Sequence, residues 1–457
     1  MAAIITDSFR RESTAALISS INAGVDKFYI GIGKSDLWTT PTDDFPPVPS
    51  GNITEKKEAL MNLSSLIQVG STRFVIPYIK FASERRYKAY DPTDPTCFYA
   101  TTDGGNTTFP CYAMHNNYIY LCLSSTSATV GGLPSSTSYS IFSIGTYTWV
   151  MITAYEIGSP FNTAQFTAVV KDPRIGVTET IPANTKGRIY DIAVLEPGSG
   201  YTSNIKVNLV GDGSVQDVPI EAVDVTIVGG QITGMSLPAG IFTGYTQASI
   251  SIERLDAPTV PEPVDAVLIP LITPINGFAD DPVSILPTWF AGLSVDVVGM
   301  LDDTTAEDGF LCSYRQISLI KNPESVLDDA TGETLDALKY FVLDGPPGDP
   351  VVRVSGTVGV SDEVVTDDTT AKCFIDDYKE VDGEHRIYFH QNFSPQVNLK
   401  DFPPIGGVTI DGITYPYASV ERPEYTHGTG EVLFLENRKP ITRAASQTEE
   451  LKLVIQF

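Results

Sequence analysis

The chain has 457 residues, 42% of them hydrophobic and 19% charged, a length that asks for more than one hydrophobic core. Its 56 acidic residues outnumber 30 basic ones and leave a formal net charge of −26. That balance argues against nucleic-acid binding, where clustered Lys and Arg must neutralise phosphates, and no apolar run reaches the ~18 residues of a membrane span.

The opening residues lack the basic region and apolar block of a secretory leader. The Asn-x-Ser/Thr matches at Asn52, Asn62, Asn106 and Asn392 are therefore expected to be chance. The five cysteines, Cys97, Cys111, Cys122, Cys312 and Cys373, form no Cys-x-x-Cys pair and read as reduced thiols. The acidity reads as solubility, or as a surface that recruits basic patches on partners.

Thr6 to Ile21 carries candidate caps at Thr6, Asp7 and Ser8 and predicts a helix whose inner face holds Ala16, Leu17 and Ile21. Gly24 ends it. Phe28, Ile30 and Ile32 alternate as a strand. Pro41, Pro46, Pro47 and Pro49 mark an extended surface segment. A second helix is expected over Glu55 to Ile67. Beyond it the chain turns β-rich, with strands in Arg73–Phe81, Tyr112–Ser124 and Tyr147–Ile157.

Residues 186–255 contain an internal repeat: a strand near Ile189 or Ile232, a Gly-containing turn, then Gly200-Tyr201-Thr202 or Gly244-Tyr245-Thr246, then a second strand. Tyr201 and Tyr245 are read as staples of these repeats, and Asp256–Asp265 as the exit linker. A strand follows around Tyr314. A further β region covers Val351 to Tyr417, with a hairpin through Asp411-Gly412. Two neighbouring strands are expected at the end, Glu431–Glu436 and Leu451–Phe457. An Asn437–Pro440 turn should follow the first, and Leu453, Ile455 and Phe457 should line one buried face. The fold class is mainly β (α+β): a multi-domain, β-sandwich-like scaffold with N-terminal helices and an inserted small β-repeat module. Its expected divisions are 1–185, 186–260, 261–345, 346–420 and 421–457.

No catalytic set emerges. His385 and His390, five apart in a strand, face opposite ways, so a zinc site is not indicated. Gly211–Ser214 with Asp217 lacks the spacing of a calcium loop and reads as a turn. No Gly-x-Ser-x-Gly elbow is present. The acidic pairs Asp302-Asp303, Asp328-Asp329 and Asp376-Asp377 fall in segments that read as loops. The expectation is a binding or scaffold protein with no cofactor, no metal and no enzymatic activity.

Gly430-Glu431, Glu436-Asn437-Arg438, Pro440-Ile441, Gln447-Thr448-Glu449-Glu450 and the closing Leu451–Phe457 together resemble the C-terminus of a baseplate wedge subunit of contractile-tailed bacteriophages, the wedge protein eight family of the myovirus type. Other blocks fit in the same order. Tyr314–Pro323, with Arg315 and Gln316, is similar to the family's Phe-Arg-Gln-Ile-Ser segment. Gly33, Lys34, Ser35, Asp36 and Trp38 are similar to its Gly-Arg-Ser-Glu-x-Trp. The segments 186–260 and 350–417 depart from the pattern.

The resemblance implies a non-enzymatic scaffold in the virion's tail baseplate, assembled in the host cytoplasm. It would pair as a homodimer and contact other wedge proteins around the tail tube, with no nucleic-acid or membrane partner. Within that reading, Trp38 is either an interface anchor or packed on its own domain. Arg438 either pairs with Glu436 or Glu449 or is solvated. The alternative function is a carbohydrate-binding or adhesin-like virion-surface protein, which exposed aromatics in 186–260 would favour. A glycan hydrolase is the third reading, with no placed site.

Overall fold

The computed structural model describes residues 5–34, 37–38, 42–126, 128–155, 157–170, 180–214, 218–219, 223–236, 242–257, 262–297, 314–326, 334–347, 363–366, 372–391, 402–410, 413–441 and 449–457. It is mainly β, built almost wholly of antiparallel sheets, with three α-helices among the described residues. None of these helices is long and apolar enough to cross a membrane. The chain forms two compact units, each drawn from segments distant in sequence.

The first unit comprises Met1–Ala16, Arg73–Gly292 and Val454–Phe457. Its main sheet orders the strands Tyr112–His115, Tyr118–Ser124, Tyr147–Ala154 and Ile141–Ile144. Asn116 and Asn117, both at positive φ, make the tight turn between the first two. Alternate residues serve two cores. Tyr112, Met114, Ile119, Leu121, Val150 and Ile152 join Phe98 and Trp289. Ala113, Tyr120, Cys122, Trp149 and Met151 join Phe81 and Tyr87. A sheet covered on both faces reads in sequence as an unbroken apolar run, as this one does.

The repeat at 186–255 is a real duplication with crossed partners. Gly200, Tyr201, Thr202 and Asp212 recur 44 positions on as Gly244, Tyr245, Thr246 and Asp256. Both glycines take positive φ, 77° and 76°, a conformation in which a side chain is strained. Both tyrosines are buried. The strands Ile205–Gly211 and Ala248–Arg254 pair antiparallel, and the pairs Val207↔Ile252 and Asn208↔Ser251 exchange under the same offset, so a local twofold axis runs between them.

Each half then bonds to the other. The Tyr201 N–H donates to Gly230 O (3.0 Å) and the Tyr245 N–H to Gly187 O (2.9 Å). The Thr202 hydroxyl donates to Asp256 Oδ2 (3.1 Å) and the Thr246 hydroxyl to Asp212. That hydroxyl, with the Thr246 and Gln247 amides, lowers the Asp212 carboxyl to a pKa of about 2. Gly211–Ser214 is thus a turn that staples the repeat. The strand Val267–Ile272, paired with Ile189–Glu196, also belongs to this module, which therefore extends beyond the expected boundary at 260.

The second unit comprises Leu17–Thr72 and Leu293–Leu453. Its central sheet runs Thr334–Asp336, Leu63–Gln68, Phe28–Gly33, Tyr314–Lys321, Glu431–Ile441. A closed six-stranded barrel follows, from Lys339–Leu343 to Ile413–Glu421, filled by Phe341, Phe389, Phe402 and Tyr417. It begins before the expected boundary at 346. Ile410↔Ile413 pairing supports the hairpin whose turn, Asp411-Gly412, lies outside the described residues.

Several expectations are corrected. The first helix is Asp7–Ala23, and it buries Thr14 and Ile18 while Ala16 is exposed. The second helix stops at Met61, and Leu63–Gln68 is a strand. Asn62 closes the helix through Glu58 O (2.9 Å), and the two flanking strands then claim the backbone of the next residues. Asn437–Pro440 is not a turn but part of the Glu431–Ile441 strand. That strand and the final one, Glu449–Gln456, lie in different sheets rather than side by side. In the final strand Leu453 is buried, while Ile455 and Phe457 are only partly so. Asp376-Asp377 lies in the strand Lys372–Val381, not a loop; Asp302-Asp303, Asp328-Asp329 and Asp217 fall outside the described residues.

A Cβ at Gly213 would overlap the ring of Tyr245. Gly213→Ala is expected to cost about 1–3 kcal/mol by overpacking, read as a lowered midpoint in thermal unfolding, whereas Gly229→Ala, where no atom lies close by but φ is positive, should show only the smaller backbone strain.

Candidate functional site

The site is built where the Phe28–Gly33 strand ends. Gly33 sits at a register shift against Leu63, and a Cβ there would collide with Asn62 O. Lys34 follows at φ 61° and donates its N–H to Asn62 O (3.0 Å). Residues 34–62 are therefore an excursion closed at its neck. The far limb is tied by a capping box. Asn52 Oδ1 accepts the Glu55 N–H (2.9 Å), while Glu55 Oε2 accepts the N–H groups of Ser50 (2.8 Å) and Gly51 (2.9 Å).

Three contacts press the excursion onto the Tyr314–Lys321 and Glu431–Ile441 strands. Thr42 and Phe45 bridge across a tight turn that presents Asp43. The guanidinium of Arg315 grips that carboxylate: Nε lies 2.9 and 3.0 Å from its two oxygens, and Nη2 2.8 Å from Oδ2. Arg315 is 1% exposed. Its hydrogen bonds hold the Asp43 carboxyl below the usual carboxylate range, and the Trp38 N–H adds to this at 2.7 Å.

The second contact is the Trp38 indole, which donates to Arg438 O at 3.0 Å. The third runs through Asn437, which accepts from Gln316 Nε2 (2.8 Å) and donates to Pro47 O (3.0 Å). Asn437 is thus used for its side-chain amide; it is not at positive φ. Between Gln316↔Asn437 and Tyr314↔Ile441 the register slips, so Arg438–Pro440 bulges opposite Arg315. A bulge tolerates Pro440, which has no N–H to give, and turns the Arg438 carbonyl toward Trp38.

The sequence-marked residues Trp38, Arg315, Gln316, Asn437, Arg438 and Pro440 are thereby brought together. Trp38 packs on its own unit, with the Lys34 ammonium 5.2 Å from its ring. Arg438 pairs with Glu436 at 3.6 Å, an exposed pair of small energetic worth. Glu450 lies elsewhere, accepting from Ser294 (3.2 Å) and paired with Lys452 (2.9 Å). The Phe457 N–H bonds to Trp289 O (3.0 Å) within the first unit. Glu449 opens the final strand, and Gln447 and Thr448 fall outside the described residues.

Residues that sequence reasoning passed over complete the site. Asp43 and Pro47 are the excursion's own partners in the clamp. Leu37 (49% exposed), Phe45 (73%), Val48 (88%) and Ile53 (72%) turn outward. The Lys439 ammonium lies 5.9 Å from the Phe45 ring and 3.8 Å from Asp44. The inner polar groups of the clamp engage one another, and outward it offers these apolar groups beside the exposed charges of Asp44 and Lys439. Among the described residues, no three of His, Cys, Asp and Glu stand together as a metal set.

Replacing Asp43 by Asn takes the bidentate carboxylate from a buried guanidinium, and a loss of about 3 kcal/mol is expected at pH 7. Because the folded carboxyl titrates lower than the unfolded one, its stabilisation is full above the unfolded value of about 3.9 and disappears as pH falls through the folded value. Urea unfolding from pH 7 to pH 3 should show the gap between parent and Asp43→Asn narrowing only below about pH 4.

Compared with known proteins, the sequence matches no family model and no curated protein, so the site is read on its own geometry.

Proposed function

We propose that the chain is a non-enzymatic structural subunit of a phage tail baseplate wedge, a scaffold that pairs with itself and joins neighbouring wedge proteins around the tail tube. The observation that carries this reading is convergence. Three of the sequence blocks that resemble the wedge family lie far apart, with Trp38 and Arg438 separated by 400 positions and Gln316 and Asn437 by 121. They nevertheless meet in one clamp. Residues that serve a fold's assembly surface, rather than a reaction, need only hold a shape, and this clamp holds one.

Its outward side suits an interface. Leu37, Phe45, Val48 and Ile53 are large apolar groups displayed on a segment that is tied at its neck, its far limb and its middle, so little ordering cost remains to be met on association. The carbohydrate-binding reading has less to draw on. Tyr201, Phe242 and Tyr245 of the repeat module are buried, and the half-buried Tyr190 gives its hydroxyl to Tyr90 O (3.2 Å). The first three pack inside the module, and Tyr190 ties it to the neighbouring core of the first unit.

The first test is the native mass of the purified chain, alone and mixed with the other wedge proteins of the same genome. A homodimer that enters a complex of defined stoichiometry is the expected result; a monomer that ignores every wedge protein overturns the reading. The double substitution Phe45→Asp, Val48→Asp should leave the unfolding midpoint within about 2 °C, since surface changes are usually small, and should weaken wedge association at least tenfold. Unchanged association would remove this segment from the interface.

A further inference from the structure

Two cysteines that nothing in the sequence marks as a pair meet in the first unit. Cys97 lies in the short 3-10 turn Pro95–Phe98, whose start is capped by Asp94 Oδ1 accepting the Thr96 N–H (2.9 Å). Cys111 follows the hairpin of Thr101–Asp103 and Asn106–Phe109. The Cys111 N–H donates to Cys97 O (2.9 Å), so the two backbones run side by side, and the Cys111 thiol is directed at the Cys97 sulfur, 3.6 Å away. Both are buried in one core with Phe98, Tyr112 and Trp289.

Geometry closes off the alternatives among the described cysteines; Cys312 lies outside the described residues. Cys122 neighbours Cys111 along the backbone, its N–H donating to Cys111 O (2.7 Å). Its sulfur, however, belongs to the other core and donates to Ser124 O (3.3 Å). Cys373 is inside the barrel of the second unit. Among the described cysteines, only Cys97 and Cys111 share a core and a backbone contact.

We propose that Cys97 and Cys111 are a covalent modification site that closes into a disulfide when the protein meets peroxide, locking the exposed 101–109 hairpin onto the core. Sulfur separation must shrink to about 2.05 Å, a movement that thiol rotation about χ1 can supply between adjacent backbones. The oxidant has to be small and uncharged to reach a buried pair, which favours hydrogen peroxide over a glutathione-sized disulfide. Cys97 is the sulfur that reacts first: the Cys111 thiol donates to it and lowers its pKa, while burial raises that of Cys111.

The electrons balance. The Cys97 thiolate attacks one peroxide oxygen, the O–O bond breaks, and the departing hydroxide takes up the proton Cys97 gave, leaving a sulfenic acid and one water. Cys111 sulfur then attacks the Cys97 sulfur, the S–O bond breaks, and the leaving hydroxide takes the Cys111 proton as a second water. Two thiols and one peroxide give one disulfide and two waters. A chain made in a reducing cytoplasm would hold both thiols, and the bond would form once it enters an oxidising medium.

The test uses the full chain, reduced, freed of reductant and exposed to hydrogen peroxide at neutral pH. Remaining thiols are blocked under denaturing conditions, and the chain is cut by proteases that cleave at Asp103 and after Tyr118, so that Cys97, Cys111 and Cys122 fall on three peptides. The expected product is a cross-linked pair of peptides carrying Cys97 and Cys111, lost on addition of dithiothreitol. Closing a loop of about 15 residues should also raise the unfolding midpoint by roughly 5–10 °C. Cys122→Ala should keep the cross-link, and Cys97→Ser or Cys111→Ala should abolish it. Recovery of both peptides as blocked thiols, sulfinic acid on Cys97 without a cross-link, or a bond from Cys111 to Cys122 would each overturn the assignment. A correct bond with an unmoved midpoint would overturn the locking role. Because the mapping is made on the parent chain, the result stands even if a variant fails to fold.

Discussion

A guanidinium removed almost wholly from water is tolerable only where a carboxylate meets it in good geometry, because desolvating either charge costs several kcal/mol. Arg315 and Asp43 meet that condition with bonds of 2.8–3.0 Å. The path of residues 34–62 depends on it. The chain must leave the sheet at Gly33, where no side chain fits, take a left-handed step at Lys34, and turn back at Thr42–Phe45 to deliver the carboxylate. Trp38 and Pro47 then fall where the bulged Arg438 and Asn437 can receive them. Ion pairing of this kind contributes less net energy than the apolar packing around it. Its contribution is to permit one arrangement of the excursion and to penalise others.

The repeat module reaches definition by another route. Its two halves carry the same short signature, yet neither closes on itself. Each tyrosine sits under a backbone bond to the opposite half, and each threonine reaches the opposite aspartate. Burial of Tyr201 and Tyr245 supplies apolar stabilisation, and the crossed bonds decide which half meets which. The module therefore behaves as a twofold pair contained in one chain, with the asymmetry of a covalent link: Arg254 stacks 4.0 Å from the Tyr201 ring and bonds to Asp265, where the matching position in the first half is Val210.

Much of the fold was legible because local physics and tertiary structure agreed. Alternation in Phe28–Gly33, the glycine after the first helix, and the Gly-Tyr-Thr recurrence all point to what formed. The failures share a cause. Leu63–Gln68 looks helical because Glu, Lys, Ala, Leu and Met precede it without a proline or glycine; only the strands on either side make it a strand. Asn437–Pro440 carries turn residues, and a bulge opposite Arg315 absorbs them without turning the chain. Trp38, Arg315 and Asn437 were marked by resemblance, but Asp43 was not, since a lone aspartate in a proline-rich stretch is indistinguishable from a solvated turn until its partner 272 positions away is known. Pairing information of that range is absent from local pattern.

The division of the chain also sets an order in time. Most of the first unit lies in the continuous run Arg73–Gly292, so its hairpins close over short loops as the chain emerges from the ribosome. The central sheet of the second unit cannot. Phe28–Gly33, buried along its whole length in the finished protein, pairs on one side with Leu63–Gln68 and on the other with Tyr314–Lys321; Gly31 lies 287 positions from Ser318. During synthesis that strand has one covered edge and one open edge for the time needed to make some 250 further residues at about 5–20 per second. An apolar strand edge held open this long invites pairing with other nascent chains. The glycines of Phe-Tyr-Ile-Gly-Ile-Gly, which lower intrinsic strand propensity, keep that edge a poor template until its own late partner arrives.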